Sequence, residues 1–130
     1  MRHSKLPLRA GAAALALFLL PALAAAQAWP AKPIRILVGS PPGGPSDIVT
    51  RIFADHLGQR LKQPVVVENR PGVGNSLAAG VVAKGDADGY TLVLSPDTVV
   101  TVNPLVYPRL NFDARTELVN ISVLAAFTQM

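Results

Sequence analysis

The stretch Ile34-Arg35-Ile36-Leu37-Val38-Gly39-Ser40-Pro41-Pro42-Gly43-Gly44-Pro45-Ser46-Asp47 decides how this chain folds. Its first five residues form an apolar run that predicts a β-strand. The Gly- and Pro-rich segment predicts a turn, and Ser46 is a natural N-cap for a following helix. A turn without bulky side chains exposes backbone N–H groups next to the positive end of the helix dipole. Gly39 to Asp47 therefore predicts a site for a carboxylate, a phosphate or a similar anion.

Helices and strands continue to alternate after this turn. Apolar residues at helical spacing predict one helix from Ser46 onward, and Pro64 ends it. A β-branched run, Val65 to Val67, predicts a strand that is buried on both faces. A small-residue helix, Ser76 to Lys84, and a third strand, Tyr90 to Leu94, follow. The order β-α-β-α-β predicts an α/β fold with right-handed crossovers and a mainly parallel sheet. The apolar positions of the first helix are Ile48, Val49, Ile52, Phe53, Leu57 and Leu61.

The pattern weakens after Ser95. Thr98 to Val102 fits either a helix or a strand. The prolines at 104 and 108 predict irregular chain. Val119 to Phe127 predicts a further strand.

The N-terminus has the order of a secretory signal. Arg2, Lys5 and Arg9 precede the apolar run Ala10 to Leu20, and Ala-x-Ala spacing follows up to Ala26. The apolar run is shorter than the ~20 residues of a membrane span. We therefore predict a cleaved signal peptide over residues 1–26, a mature portion over 27–130, and a periplasmic location. Cleavage after Ala28 and an uncleaved anchor are the alternatives.

Composition excludes several classes of function. The chain has 130 residues, a net charge of +4 and no Cys, so neither disulfides nor thiolate metal sites are expected. Without the predicted signal the net charge is +1, and no basic stripe with interleaved aromatic residues remains. Nucleic-acid binding is therefore not expected.

Three loops follow the carboxyl ends of the predicted strands, where open α/β sheets bind their ligands. They are Gly39 to Asp47, Asn69 to Ser76, and Ser95 to Thr98. All three are rich in residues with backbone or short polar groups, and none carries a cluster of bases or nucleophiles. We therefore predict a binding protein without catalytic residues, metal or cofactor.

Two Gly-rich motifs match known nucleotide-binding motifs only in part. The first loop lacks the Gly-Lys-Ser/Thr ending of a Walker motif, and Pro45 removes an N–H where a phosphate cradle needs one. Gly72-Val73-Gly74 resembles the start of a dinucleotide fingerprint, but Leu77 occupies the third glycine position. A plain tight turn remains the alternative for the first loop.

Three charged or titratable side chains have competing interpretations. Asp47 either compensates the helix dipole or fixes the loop by accepting bonds from backbone N–H groups. Arg70 either clamps a carboxylate or pairs with Glu68 or Asp47, and the ion pair is favoured. His56 is interpreted as a surface or partly packed residue.

These motifs together resemble the periplasmic solute-binding proteins of the tripartite tricarboxylate transporter, the Bug family. The family's opening W/Y-P-x-K/R-P-I-R matches Trp29 to Arg35, and its V-P-x-P-P-G-G-x-x-D-x-x-A-R is approximated from Val38 to Arg51. Further matches are Pro64-Val65-Val66-Val67-Glu68-Asn69-Arg70-Pro71-Gly72, Asp88-Gly89-Tyr90-Thr91-Leu92, and Asn103-Pro104-x-x-Tyr107-Pro108.

The resemblance implies one lobe of a two-lobed, type II-like periplasmic binding protein with a mixed, mainly parallel sheet. It implies a small organic carboxylate as ligand, held by the Pro42 to Asp47 loop through backbone N–H groups and bridging waters. The implied partners are integral-membrane transporter subunits, and the protein is expected to be monomeric. The residues expected to contact the ligand are Pro42, Gly43, Gly44, Ser46, Asp47, Ser40, Asn75, Ser76, Ser95 and Thr98.

The chain departs from the family pattern in its loops and in its length. Ser40 replaces the usual aromatic residue before Pro-Pro, Pro45 replaces the third loop glycine, and the usual Gly-Gly-Asn after the second strand reads Gly74-Asn75-Ser76. Family members are more than twice as long, so the second lobe is expected to be largely missing. A truncated fragment without function, and an enzyme that binds a phosphate or nucleotide at the Gly-rich loop, are the alternative interpretations.

Overall fold

The computed structural model describes residues 28–126. The predicted signal peptide lies outside these residues. The strands are β1 (Ile34–Val38), β2 (Val65–Asn69) and β3 (Thr91–Leu94). The helices are α1 (Pro45–Leu61), α2 (Ser76–Ala83), α3 (Thr98–Thr101) and α4 (Asn103–Val106), and a 3₁₀ turn spans Val73–Asn75.

The three strands form one parallel sheet in the order β2-β1-β3. Val38, the last residue of β1, is level with Asn69 of β2 and Leu94 of β3. The predicted β-α-β-α-β order and the parallel sheet are confirmed. Because the strands are parallel and end level, the loops after all three emerge at one edge of the sheet.

The two long helices cover opposite faces of this sheet. The chain moves from β1 to its neighbour β2 and then back past β1 to β3 on the other side. Because the two crossovers run in opposite directions along the sheet and both are right-handed, α1 and α2 lie on different faces. Ile34, Leu37 and Val38 of the central strand are fully buried. A second cluster beyond β3 consists of Ala79, Val99, Phe112 and Ala114.

The first helix differs from its sequence prediction at the N-terminus. Its N-cap is Gly44, not Ser46, and Pro45 is the first helical residue. Proline suits that position because its φ is already helical and its missing N–H would have no partner there. The helix ends at Leu61, and its C-cap, Lys62, adopts a left-handed conformation.

The predicted apolar stripe of α1 is only partly buried. Ile48 and Ile52 are more than half exposed, whereas the buried positions are Asp47, Thr50 and Ala54. The helix is therefore turned so that small and polar residues face the sheet. Periodicity alone misplaced the buried face because it ranks large apolar residues first.

The C-terminal segment corrects two further predictions. Thr98 to Val102 resolves as helix α3, and the prolines near 104 do not prevent the short helix α4, where Pro104 lies in the first turn. The predicted strand from Val119 is wrong for residues 119–126, which form neither a strand nor a helix, and Phe127 lies outside the described residues. A strand requires a hydrogen-bonded neighbour, and residues 28–126 offer this segment none.

The extended segment before β1 is fastened to the turn before β3. The Ala31 N–H donates to the Tyr90 hydroxyl over 2.7 Å, and Lys32 pairs with Asp88 over 3.0 Å. The Trp29 and Tyr90 rings lie 5.9 Å apart. None of the helices within residues 28–126 combines the length and the hydropathy of a membrane-spanning helix.

Candidate functional site

The loops after β1 and β2 touch each other at the carboxyl edge of the sheet. A Cβ atom built on Gly39 would lie 2.5 Å from Asn75 Cβ and 2.6 Å from Asn75 Cα. Real Cβ atoms do not approach other carbon atoms that closely, so this contact requires a glycine at position 39. Two of the three loops that the sequence predicted to form a site are therefore in direct contact.

A buried carboxylate, Asp47, organises the first loop. Its Oδ2 accepts the Gly43 N–H over 2.9 Å and the Arg51 Nε–H over 3.0 Å. Its Oδ1 accepts Asn69 Nδ2–H over 2.8 Å. Asn69 also donates to the Ser40 carbonyl over 3.0 Å and accepts from Arg51 Nη2 over 3.1 Å. We call Asp47, Arg51 and Asn69 the Asp47 network; it joins the loop, α1 and the end of β2.

These partners explain the charge state of Asp47. The hydrogen bond from Arg51 lowers the pKa of Asp47 most, followed by those from Gly43 and Asn69, and burial opposes them. The pKa therefore lies well below its usual range, and the carboxylate is ionised at neutral pH. Asp47 fixes the loop by accepting a backbone N–H, which is one of the two roles considered from the sequence.

A pH prediction follows from this lowered pKa. Because the pKa of Asp47 is lower in the folded than in the unfolded chain, the ionised carboxylate stabilises the fold at any pH above its ordinary pKa of about 4. This stabilisation is lost as the pH falls through the lowered pKa of the folded chain. We expect the difference in Tm between wild type and Asp47→Asn to be constant from about pH 7 to about pH 5 and to shrink below about pH 4. Thermal unfolding followed by circular dichroism measures this difference.

The control for this prediction is Asp55→Asn, at an exposed position on the same helix. Its Tm is expected to match that of the wild type throughout. A constant difference for Asp47→Asn down to about pH 2 would contradict the ionised role of Asp47.

The Asp47 network determines which N–H groups of the loop remain available. The Gly43 N–H is taken by Asp47, and the Gly44 N–H points to the Pro41 carbonyl over 3.3 Å. The N–H groups of Ser46 and Asp47 lie in the first turn of the 17-residue helix α1. A helix contains no backbone carbonyl that can accept hydrogen bonds from its first-turn N–H groups. Within residues 28–126, no acceptor is hydrogen-bonded to either group.

A buried hydroxyl lies near Gly44, the N-cap of α1. The Ser40 Oγ is shielded from solvent and has no hydrogen-bond partner among the described residues. It lies 3.8 Å from the position that a Cβ on Gly44 would occupy. A buried hydroxyl without a partner is unfavourable by about 1–3 kcal/mol, so this position favours a polar ligand atom or a water.

The second loop has an unusual backbone. Four consecutive residues, Gly72 to Asn75, have positive φ angles, and Val73 at +49° is a β-branched residue in the left-handed region. Such a conformation is strained by about 1–3 kcal/mol and persists only where the surroundings hold it. Asn103 supplies part of that restraint, because its buried amide donates to the Gly74 carbonyl and to Ser76 Oγ, each over 2.7 Å.

The structure places the remaining predicted ligand residues around these two loops. Pro42 and Gly43 are exposed on the first loop, and Asn75 is at the contact with Gly39. Ser76 is buried behind Asn103. Ser95 directly follows β3, and Thr98 begins α3, which packs against the 3₁₀ turn.

Arg70 and His56, the other two titratable side chains considered from the sequence, have structural partners. Arg70 pairs with Glu68 over 3.4 Å, and both carboxylate oxygens of Glu68 also accept hydrogen bonds from Arg35 Nη2. The ion pair favoured from the sequence is therefore present, but its alternative partner Asp47 pairs with Arg51 instead. His56 is exposed and its Nδ1 contacts the Ile52 carbonyl oxygen. Within residues 28–126, no three His, Asp or Glu side chains are placed to hold a metal ion.

Two surface cavities, of about 470 and about 370 Å³, lie away from these loops. One borders the end of α1 and Val65 at the start of β2, and the other borders Lys32 and Thr91 at the start of β3. Both are at the amino edge of the sheet. At the carboxyl edge, Pro41 to Gly43 form an exposed face.

The parallel sheet with a helix on each face has the α/β architecture of a lobe of the periplasmic binding-protein type. The sequence profile of the tripartite tricarboxylate transporter family receptor matches residues 49–130. The chain therefore belongs to this receptor family, in agreement with the resemblance seen in its motifs.

Relatives and solved structures agree with this assignment. The chain is 39% identical over 100 residues to Protein BugT of Bordetella pertussis, covering 76% of this chain and 31% of that protein. It resembles Rpa4515 of R. palustris, solved with adipate, with 34% identity and a TM-score of 0.65 over 68% of this chain and 29% of that one. It also resembles MatC of Rhodopseudomonas palustris, solved with bound malate, with 29% identity and a TM-score of 0.64, covering 68% and 30%.

The chain spans about a third of the length of the curated relatives that it matches. These alignments cover most of this chain but leave most of each relative unmatched.

Proposed function

We propose that this chain is part of an exported receptor that captures a small organic carboxylate in the periplasm and delivers it to integral-membrane transporter subunits. It does so as a monomer, by binding alone and without catalysis. The Asp47 network carries this proposal, because it holds the first loop against the N-terminus of α1, where the Ser46 and Asp47 N–H groups have no partner within residues 28–126. Membership of the receptor family supports the same conclusion. So do two similar solved structures, one with adipate and one with bound malate.

The proposed contacts follow from the geometry of the first loop. One carboxylate of the ligand lies over the N-terminus of α1 and accepts the Ser46 and Asp47 N–H groups, directly or through water. Ser40 Oγ supplies a further polar contact. Gly43 and Gly44 keep the approach open, and Asn75, Ser95 and Thr98 border the same edge of the sheet.

The first experiment is to measure the intact mass of the native product in a periplasmic extract of its host, followed by ligand binding. A signal-cleaved species that gains thermal stability with adipate, malate or citrate supports the proposal, because a ligand that binds only the folded state raises Tm. A product absent from the periplasm, or one that no carboxylate stabilises, contradicts it. Aggregation with no ligand effect favours the fragment without function.

A substitution at Gly44 tests the position of the site. Gly44 has φ −73° and ψ 164°, which valine also adopts, so Gly44→Val is expected to fold. Its added atoms crowd the helix N-terminus beside Ser40 Oγ. We expect carboxylate affinity to fall by more than about tenfold in a calorimetric titration with malate and adipate.

The control is His56→Ala, an exposed position in the middle of α1, where affinity is expected to stay unchanged. Equal affinity of Gly44→Val and wild type would remove the first loop from the proposed site.

A further inference from the structure

The buried charge of Asp47 raises a question for an anion site, because a carboxylate behind the helix N-terminus repels a second carboxylate in front of it. Only 2% of Asp47 is exposed, so water screens this charge poorly. Arg51 is the one cation in the network, with its Nε 3.0 Å from Asp47 Oδ2. Arg51 therefore balances the charge that would otherwise oppose the ligand.

Asn69 fixes the geometry of the same network. Its Nδ2 joins the Ser40 carbonyl, at the start of the loop, to Asp47 in the first turn of α1. Its Oδ1 accepts from Arg51, so the side chain's oxygen and nitrogen are both engaged within the described residues. The backbone supports this position, because the Arg70 N–H donates to the Val38 carbonyl over 2.8 Å and keeps the end of β2 beside the end of β1.

We infer that Arg51 and Asn69 are positioning residues of the ligand loop, and that Arg51 also makes the loop selective for anions by balancing Asp47. Neither residue needs to touch the ligand. Asn69 and Asp47 hold Ser40 and Gly43 in place, and the Ser46 and Asp47 N–H groups keep no partner among the described residues. This inference rests on the proposed function, and its test includes a measurement that needs no ligand.

Arg70 provides a matched control for Arg51. The two side chains are similarly exposed, 51% for Arg51 and 54% for Arg70, and each pairs with one carboxylate. Arg70 follows Asn69 directly in the chain, but it pairs with Glu68 and not with Asp47. Arg51→Gln and Arg70→Gln therefore each remove one half-exposed cation, and only the first disturbs the network.

The ligand-free measurement is hydrogen exchange at the Gly43 amide, followed by NMR. In the wild type this amide is protected by its bond to Asp47. We expect exchange about tenfold faster or more in Arg51→Gln and Asn69→Ala, and unchanged exchange in Arg70→Gln, because local protection depends on local opening. Unchanged exchange in both Arg51→Gln and Asn69→Ala would overturn the positioning role.

The binding measurement separates charge from geometry. We expect Arg51→Gln to weaken malate and adipate binding by about tenfold or more, and Arg70→Gln by less than about twofold. Arg51→Lys keeps the charge but loses the second bond to Asn69, and it is expected to recover most of the lost affinity. An Arg51→Lys variant as weak as Arg51→Gln would overturn the charge-balancing role.

The two proposals fail in distinguishable ways. If the wild type binds no carboxylate, the proposed function fails, while Gly43 exchange still decides whether Arg51 and Asn69 position the loop. If the wild type binds carboxylate and Arg51→Gln binds it equally well, the proposed function stands and this inference is wrong.

Discussion

Replacing Gly39 with alanine is expected to reduce the free energy of unfolding by about 3 kcal/mol, at the upper end of the usual range for overpacking. The new methyl group would lie 2.5 Å from Asn75 Cβ, 2.6 Å from Asn75 Cα and 2.8 Å from the Asn75 carbonyl oxygen. Two of these three atoms belong to the backbone, so no side-chain rotation can relieve the contact. The loops after β1 and β2 must move apart, and carboxylate affinity is expected to fall with stability.

Chemical denaturation of Gly39→Ala and of Gly85→Ala tests this expectation. Gly85 is exposed, its φ is not in the left-handed region, and its nearest neighbours are carbonyl oxygens of its own segment at 3.3 and 3.5 Å. Gly85→Ala is therefore expected to change the free energy of unfolding by less than about 0.5 kcal/mol. Equal stability of the two variants would contradict the close contact between the loops.

Truncation of Leu37 is the second change with a large expected effect. Leu37 is fully buried in the central strand, with β2 on one side and β3 on the other. Leu37→Ala is expected to reduce the free energy of unfolding by about 2–5 kcal/mol, because it removes buried methyl groups and leaves a cavity where the sheet cannot close. The midpoint of urea unfolding measures this loss.

Leu105→Ala is the matched control, because it is the same substitution at a side chain that is 85% exposed. Its unfolding midpoint is expected to stay near that of the wild type, within about 0.5 kcal/mol in free energy. A loss below about 1 kcal/mol for Leu37→Ala would mean that the sheet is not the stabilising core of this chain.

Much of the fold was predictable because its signals are local. Strand β1 begins and ends at the predicted residues, and α2 and β3 differ from their predictions by one residue at one end. Gly and Pro mark the turns between these elements, and apolar runs of strand or helix length lie between the turns. The alternation of the two kinds of element was enough to predict a parallel sheet.

The candidate site was predictable as a set of loops but not as a set of contacts. The ion pair of Asp47 with Arg51 was not predicted, although a spacing of four residues on one helix is a signal for it. The role of Asn69 had no such local signal. Its partners Ser40 and Asp47 lie 29 and 22 residues away in sequence, and only the pairing of β1 with β2 brings them together.

The sequence by itself therefore determined the order of elements, the parallel sheet and the edge at which the three loops emerge, because each depends on short-range propensity and on the handedness of crossovers. Only the tertiary structure decided which face of α1 is buried, that Gly39 packs on Asn75, and that residues 119–126 stay unpaired. These features depend on contacts between segments distant in sequence. A helix buries the face that its neighbours cover, and a strand forms only where another strand can pair with it.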